Sequence, residues 1–134
     1  MMNKKKNIIY EHMMSYTKYR ANIPNANNGR AYMLCIVMDK KMEEVYKIGY
    51  NKYETTLCHG TIHAEVDAVL KLPVKKKKTS INIAVFTTNK NGDILRMSKC
   101  CDNCLKSMNI ICKKKKYIIH NIYYIDDKGE ICKI

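Results

Sequence analysis

The residues in this chain that could do chemistry fall into two short segments, TIHAEV and KCCDNC. His63 and Glu65 lie two positions apart in the first segment, and Cys101 and Cys104 have Cys-x-x-Cys spacing in the second. Imidazole nitrogen and thiolate sulfur are ligands that zinc takes in tetrahedral sites, and a catalytic zinc keeps one position open for water. Each segment alone is common by chance. His63 and Glu65 could also be two ordinary residues in the first turn of a helix.

The spacing of apolar residues and of turn residues predicts eight elements in the order α β β α β α β β. The apolar content of the strand over residues 81–88, INIAVFTT, predicts burial on both of its faces. The predicted elements are a helix over 7–21, strands over 31–39 and 44–51, a helix over 62–72, a strand over 81–88, a helix over 101–111, a strand over 117–126 interrupted near His120 and Asn121, and a strand over 129–134. The last strand follows a DDKG turn, in which Gly129 can take a positive φ.

The second and third predicted helices position the two chemical segments. His63 lies at the start of the second helix, and Cys101 and Cys104 lie at the start of the third. Helices that follow adjacent strands can bring their N-termini together at one end of a sheet, so these three residues are predicted to hold one zinc ion. Glu65 can face a water at the open position, take its proton and pass it to a leaving nitrogen.

These two motifs resemble the signature of the cytidine deaminase superfamily of zinc-dependent nucleobase deaminases, in which His-x-Glu is followed by Pro-Cys-x-x-Cys. The resemblance covers nearly the whole chain and implies one domain over residues 1–134. It implies a three-layer α/β/α fold, with a mixed five-stranded sheet and a C-terminal antiparallel hairpin. It also implies zinc as cofactor and Glu65 as the catalytic residue. The segment 49–51 resembles the family's Gly-x-Asn, so Asn51 is a candidate substrate-binding residue. Ala64, between His63 and Glu65, is the second candidate.

One departure from the family pattern concerns the metal ligands. Cys100 stands where the motif has proline, giving SKCC in place of SKPC. Cys100 and Cys104 could therefore ligate with a wider spacing, but Cys101 fits the motif and its two-residue gap. Asp67, one turn beyond His63, could orient the imidazole of that histidine. We expect Asp67 to be a solvated helix residue instead.

The motifs indicate the reaction class better than the substrate. The short DDKG turn implies an antiparallel hairpin, which resembles relatives that act on free cytidine and favours a small nucleoside or nucleotide. His-x-Glu, in place of Cys-x-Glu, resembles the deoxycytidylate, tRNA and DNA deaminases. A deaminase of tRNA adenosine or of single-stranded cytosine is therefore the first alternative, and an inactive zinc-stabilised binding module is the second. Relatives commonly assemble, so the resemblance implies a homo-oligomer.

The composition bounds location and partners. The 134 residues include seven cysteines, and most of the net charge of +13 comes from lysine. With no apolar run of membrane-spanning or signal-peptide length, we expect a cytoplasmic protein with reduced thiols and no membrane partner. Lysine runs occur at 4–6, 75–78 and 113–116. We expect them to be solvated, with binding of nucleotide or nucleic-acid phosphates as the alternative.

Overall fold

The computed structural model describes residues 4–17, 32–50, 52–53, 61–62, 64–88, 95–96 and 102–134. No helix in these ranges is long and apolar enough to cross a membrane. The elements are α1 (Lys4–Tyr16), β1 (Tyr32–Asp39), β2 (Val45–Tyr50), β3 (Lys52–Tyr53), β4 (Thr61–Ile62), α2 (Ala64–Leu70), β5 (Thr79–Thr88), β6 (Leu95–Arg96), α3 (Asp102–Lys115), β7 (Tyr117–Ile125) and β8 (Ile131–Lys133).

Five of these strands form one mixed sheet in the order β2-β1-β5-β7-β8. Strand β1 is antiparallel to both β2 and β5, and β7 is parallel to β5 and antiparallel to β8. The short β6 pairs with the end of β5, while β3 and β4 form a separate two-stranded ladder. Because a parallel pair needs a crossover connection, α3 runs back along the sheet between β5 and β7.

The sheet carries helices on both faces. The central residues of strands β1 and β5 are mostly apolar and buried on both faces, as in strands that are covered on both sides. Alternate residues such as Cys35 and Val85 pack beneath α2 and α3, whereas Leu34 and Phe86 pack on the side of α1. Residues 81–88 are all buried, which confirms the prediction made from their sequence. The chain therefore has the predicted three layers.

Helix α1 is stabilised by side chains that it packs against the sheet and not by the charges in its first turn. Its first turn contains lysines and no acidic residue, which opposes the helix dipole. Ile9 and Met13, four positions apart on one face, are both fully buried. His12 Nε2 also donates to the carbonyl of Met42 at 2.8 Å. The helix starts at Lys4, earlier than predicted, and residues 18–21 of the prediction lie outside the described ranges.

Strand β7 contains the interruption that its sequence predicts. Ile81 pairs with Ile119, but Asn82 pairs with Asn121, so His120 is an extra residue in β7. Such a β-bulge changes which face the following side chains occupy. Ile119 packs on the side of α2 and α3, whereas Tyr123, three residues after His120, packs on the side of α1.

The turn between β7 and β8 is organised by Asp126. Its Oδ1 accepts hydrogen bonds from the backbone N–H groups of Lys128 and Glu130 at 2.9 and 2.8 Å. These bonds favour the charged form, led by the one from Glu130, and they lower the pKa of Asp126 from its usual 3.8. Gly129 has a φ of 80°, as predicted for this turn.

Candidate active site

The start of α2 is fixed against the end of β2 by a glycine. A Cβ atom on Gly49 would meet the carbonyl oxygen of Ala64 and the backbone nitrogen of Ala68, and would lie 2.7 Å from the Cα of Ala68. Only a residue without a side chain permits this approach of strand and helix. Ala64 and Ala68 are fully buried at the contact. The first turn of α2 is therefore held next to the segment that leads to Asn51.

The ladder of β3 and β4 joins the same two parts of the chain. Lys52 pairs with Ile62, and Tyr53 pairs with Thr61. Lys52 follows Asn51 in the sequence and Ile62 precedes His63. Asn51, His63 and Cys101 themselves lie outside the described residues.

Glu65, the second residue of α2, is buried, with 2% of its surface exposed. Its Oε1 atom has no hydrogen-bond partner among the residues that the structure describes. A buried polar atom without a partner costs about 1–3 kcal/mol, and more when the group is charged. No contact with a described residue offsets this cost. A carboxylate that binds a ligand is expected to be buried in this way before the ligand is present.

Asp67, one turn after the motif, is buried with 3% exposed, so the expectation of a solvated residue is wrong. Its Oδ2 accepts the backbone N–H of Tyr50 at 3.1 Å and pairs with Lys71 Nζ at 2.9 Å. Lys71 Nζ also donates to the carbonyl of Ile48 at 3.0 Å and lies 4.4 Å from the centre of the Tyr50 ring. These contacts bind the last residues of β2 to α2.

Cys104 lies in the first turn of α3, and its side chain is buried. Helices α2 and α3 pack on the same face of the sheet, where Ala68 and Met108 belong to one apolar cluster. The start of α3 follows β5, and α2 starts beside the end of β2, which runs in the same direction as β5. Glu65 and Cys104 therefore belong to helices that both begin at the carboxyl end of these strands.

Thr87, at the end of β5, is a polar residue at this edge that the motifs did not identify. Its side chain is buried and its Oγ1 has no partner among the described residues. It follows Val85 by two positions, so it faces the side of α2 and α3. The signal in the sequence was the pair of threonines that ends the apolar run INIAVF.

The described residues contain no group of three or more His, Cys, Asp or Glu side chains that could hold a metal ion. Two of the three predicted ligands, His63 and Cys101, lie outside those residues, so this result concerns neither. Within the described part, a buried thiol at the start of α3 and an orphaned buried carboxylate oxygen at the start of α2 fit a site with a metal and a proton carrier.

No protein-family model and no curated protein matches the sequence. The fold does have a counterpart among solved structures, a cytidine deaminase from Burkholderia pseudomallei. The two share 14% sequence identity and superpose with a TM-score of 0.56, over 92% of this chain and 90% of the other. The chain therefore has a cytidine-deaminase-like α/β fold.

Proposed function

We propose that this chain is a zinc-dependent hydrolytic deaminase, which converts a cytosine-type base to uracil and releases ammonia. The observation that carries the proposal is the buried Oε1 of Glu65 at the start of α2, which has no hydrogen-bond partner among the described residues, in a fold like that of a cytidine deaminase. A carboxylate in this state suits a group that exchanges protons with water and substrate. We also propose that residues 1–134 form one deaminase domain that acts in the cytoplasm.

His63, Cys101 and Cys104 would hold the metal. Bound zinc would supply acidification of a water molecule and an electrophile beside the substrate. Glu65 would take one proton from a water molecule that adds to C4 of the ring and deliver it to N3, and would then move the second proton of that oxygen to the amino group. The C4–N bond then breaks, ammonia leaves and the carbonyl of uracil forms. Each proton that Glu65 receives is passed on, so the residue ends the cycle as it began.

Asn51 and Ala64 would bind the substrate. The support for Asn51 comes from its chain neighbours. Tyr50, which precedes it, donates its N–H to Asp67, and Lys52, which follows it, pairs with Ile62. The segment is thus tied on both sides to the chain around Glu65. In this arrangement Asp67 is a positioning residue that keeps the substrate-binding strand and the proton carrier at a fixed spacing.

A small nucleoside or nucleotide is the favoured substrate. Its support is the antiparallel pairing of β7 with β8, the arrangement expected of relatives that act on free cytidine. A nucleic-acid deaminase is the second candidate, supported by His-x-Glu and by the lysine runs. We propose that the enzyme is a homo-oligomer, as the resemblance implies.

The test is ammonia release by zinc-loaded protein, with metal-stripped protein as the blank. Cytidine, deoxycytidine, their monophosphates, adenosine and short RNA and DNA oligonucleotides serve as substrates. We expect turnover of a free pyrimidine nucleoside or nucleotide. Turnover of oligonucleotides alone would move the function to the second candidate, and no ammonia from any cytosine or adenine substrate would contradict the proposal.

A further inference from the structure

Two lysine runs that are far apart in the sequence form one surface, which we call the lysine surface and define as residues 75–78 and 113–116. The backbone N–H of Lys75 donates to the carbonyl of Lys115, and that of Thr79 donates to the carbonyl of Lys116, both at 3.0 Å. Lys116 takes a φ of 69° after α3, and its Nζ donates to the carbonyl of Lys76 at 3.3 Å. The fold therefore holds the two runs side by side.

The positive charge on the lysine surface has no acidic partner in the described part of the chain. Six of its lysines have exposed side chains that make no ion pair with a described residue: Lys75, Lys76, Lys77, Lys78, Lys113 and Lys114. Like charges that are held together repel one another, and the negative charges of a bound polyanion reduce this repulsion. The lysines in turn release the cations that are condensed along the polyanion, which also favours binding.

A cavity of about 420 Å³ opens within the lysine surface. Lys78, Lys113 and Lys116 line it together with the apolar side chains of Cys112, Ile118 and Ile119, and none of the described residues that line it is acidic. Its volume lies in the range of pockets that take small organic ligands. Apolar walls beside several ammonium groups suit a flat ring that is attached to phosphate.

We propose that the lysine surface binds single-stranded nucleic acid, with phosphates along the two lysine runs and an unpaired base in the cavity. A duplex would keep its bases paired and out of reach, and only a single-stranded nucleic acid carries both a phosphate and an accessible flat ring on every unit of its backbone. The chain's net charge of +13 complements such a polyanion. Contacts of this kind do not select a sequence, because every base has a flat face.

The lysine surface is distant from the residues proposed for catalysis. It lies at the amino ends of β5 and β7, whereas α2 and α3 begin at their carboxyl ends. Along α3, Cys104 and Lys113 are nine residues apart, a separation of about 14 Å at 1.5 Å per residue. Nucleic acid bound to the lysine surface would therefore lie apart from the proposed catalytic site and would not itself be the substrate.

The experiment measures binding of fluorescent oligothymidylate and oligouridylate of about 20 nucleotides over a series of salt concentrations. Wild-type protein is compared with Lys78→Gln/Lys113→Gln, which removes two charges beside the cavity, and with Ile118→Glu. The matched control is Lys4→Gln/Lys5→Gln, which removes two exposed charges from α1 on the other face of the sheet. Repeating the series in Glu65→Gln separates binding from any turnover.

We expect the Lys78/Lys113 double variant to bind about tenfold more weakly at low salt, with a log–log salt slope smaller by about 1.4. Ile118→Glu should also weaken binding, and the α1 control should change it by less than about twofold. Equal losses in the two double variants would overturn the proposal, because net charge alone would then account for binding. Tighter binding to duplex, to polyglutamate or to phosphatidylserine vesicles would overturn it too.

Discussion

The two ends of α2 differ in whether their buried polar groups have hydrogen-bond partners among the described residues. At its start, Glu65 is buried with a carboxylate oxygen that no described residue satisfies. At its other end, Lys115 Nζ of α3 donates to the carbonyls of Val69, Leu70 and Leu72 at 3.2, 2.6 and 2.6 Å. The last carbonyls of a helix lack partners within it, and here a lysine from another helix satisfies them.

The end whose carbonyls are bonded by Lys115 contributes to stability, and the end that contains Glu65 is the one that we propose for catalysis. A saturated helix end has no bonding capacity left for a ligand, and its loss should reduce stability without a specific effect on catalysis. A buried polar group without a hydrogen-bond partner lowers stability, so its presence in the fold favours a ligand that binds there. Cys104 lies at the start of α3, at the same end of the sheet as Glu65, whereas Cys112, two turns further along α3, packs with Val69 and Leu72 near the other end of α2.

The largest effect should come from removing a proposed ligand. We expect Cys104→Ala to lose zinc and turnover together, because a metal site with two remaining ligands binds far more weakly. Metal content by mass spectrometry and ammonia release check this.

Cys112→Ala is the matched control, since Cys112 is a buried cysteine on the same helix. Burial raises the pKa of the Cys112 thiol to about 11, which keeps it a protonated, poor ligand at neutral pH. This variant should keep its zinc. Equal zinc loss from both variants would mean that the ligand set is wrong.

The next effect concerns the contact that sets the start of α2. Gly49→Ala should destabilise the fold by about 3 kcal/mol or more, because the added methyl group meets backbone atoms that cannot turn aside. Gly129→Ala is the control, since nothing lies within 4 Å of a Cβ there and only its φ of 80° is strained, at about 1 kcal/mol. Urea unfolding of both variants gives the comparison. A cost at Gly49 no larger than at Gly129 would contradict the close packing of β2 and α2.

A smaller effect is expected at the saturated end of α2. Lys115→Met should destabilise the protein by about 2 kcal/mol, because three carbonyls lose the ammonium group that they share. Its neighbour Lys114 is exposed and makes none of these bonds, so Lys114→Met should cost less than about 0.5 kcal/mol. Thermal or urea unfolding measures both, and kcat should change little in either. Equal stabilities of the two variants would argue against the cap.

The smallest effect is a pH dependence at the turn between β7 and β8. The lowered pKa of Asp126 means that its charged form stabilises the folded state above the ordinary carboxyl pKa. This stabilisation is lost as the pH falls through the lowered value. The difference in unfolding midpoint between wild type and Asp126→Asn should therefore be present at neutral pH and shrink in acid. Asp127→Asn, at an exposed neighbour, should show no such change, and a constant difference for Asp126→Asn would be the contrary result.

Local patterns in the sequence predicted much of this molecule. Burial of β5 on both faces, the interruption of β7 at His120 and the positive φ of Gly129 each follow from a few adjacent residues. The motifs also identified Glu65 in α2 and Cys104 in α3 as candidate site residues. The other two proposed ligands, His63 and Cys101, lie outside the described residues.

Long-range contacts could not be predicted in the same way. Asp67 is buried because β2, which lies 17 residues earlier, offers it the N–H of Tyr50. Helix α3 extends past the predicted residue 111 to Lys115, whose side chain bonds to carbonyls 43 to 46 residues away. The sequence predicts that all four lysines of the run 113–116 are solvated. Nothing in the neighbouring residues distinguishes Lys115, whose ammonium group bonds to three carbonyls, from the others.

The most direct test of the central claim compares wild type with Glu65→Gln in one preparation, measuring bound zinc, unfolding free energy and ammonia release. Glutamine keeps the shape of the side chain but cannot carry a proton. We expect Glu65→Gln to bind as much zinc as wild type, to have an equal or greater free energy of unfolding, and to lose about 10³-fold in kcat. Turnover close to that of wild type with zinc in place would contradict the role of Glu65 as the proton carrier.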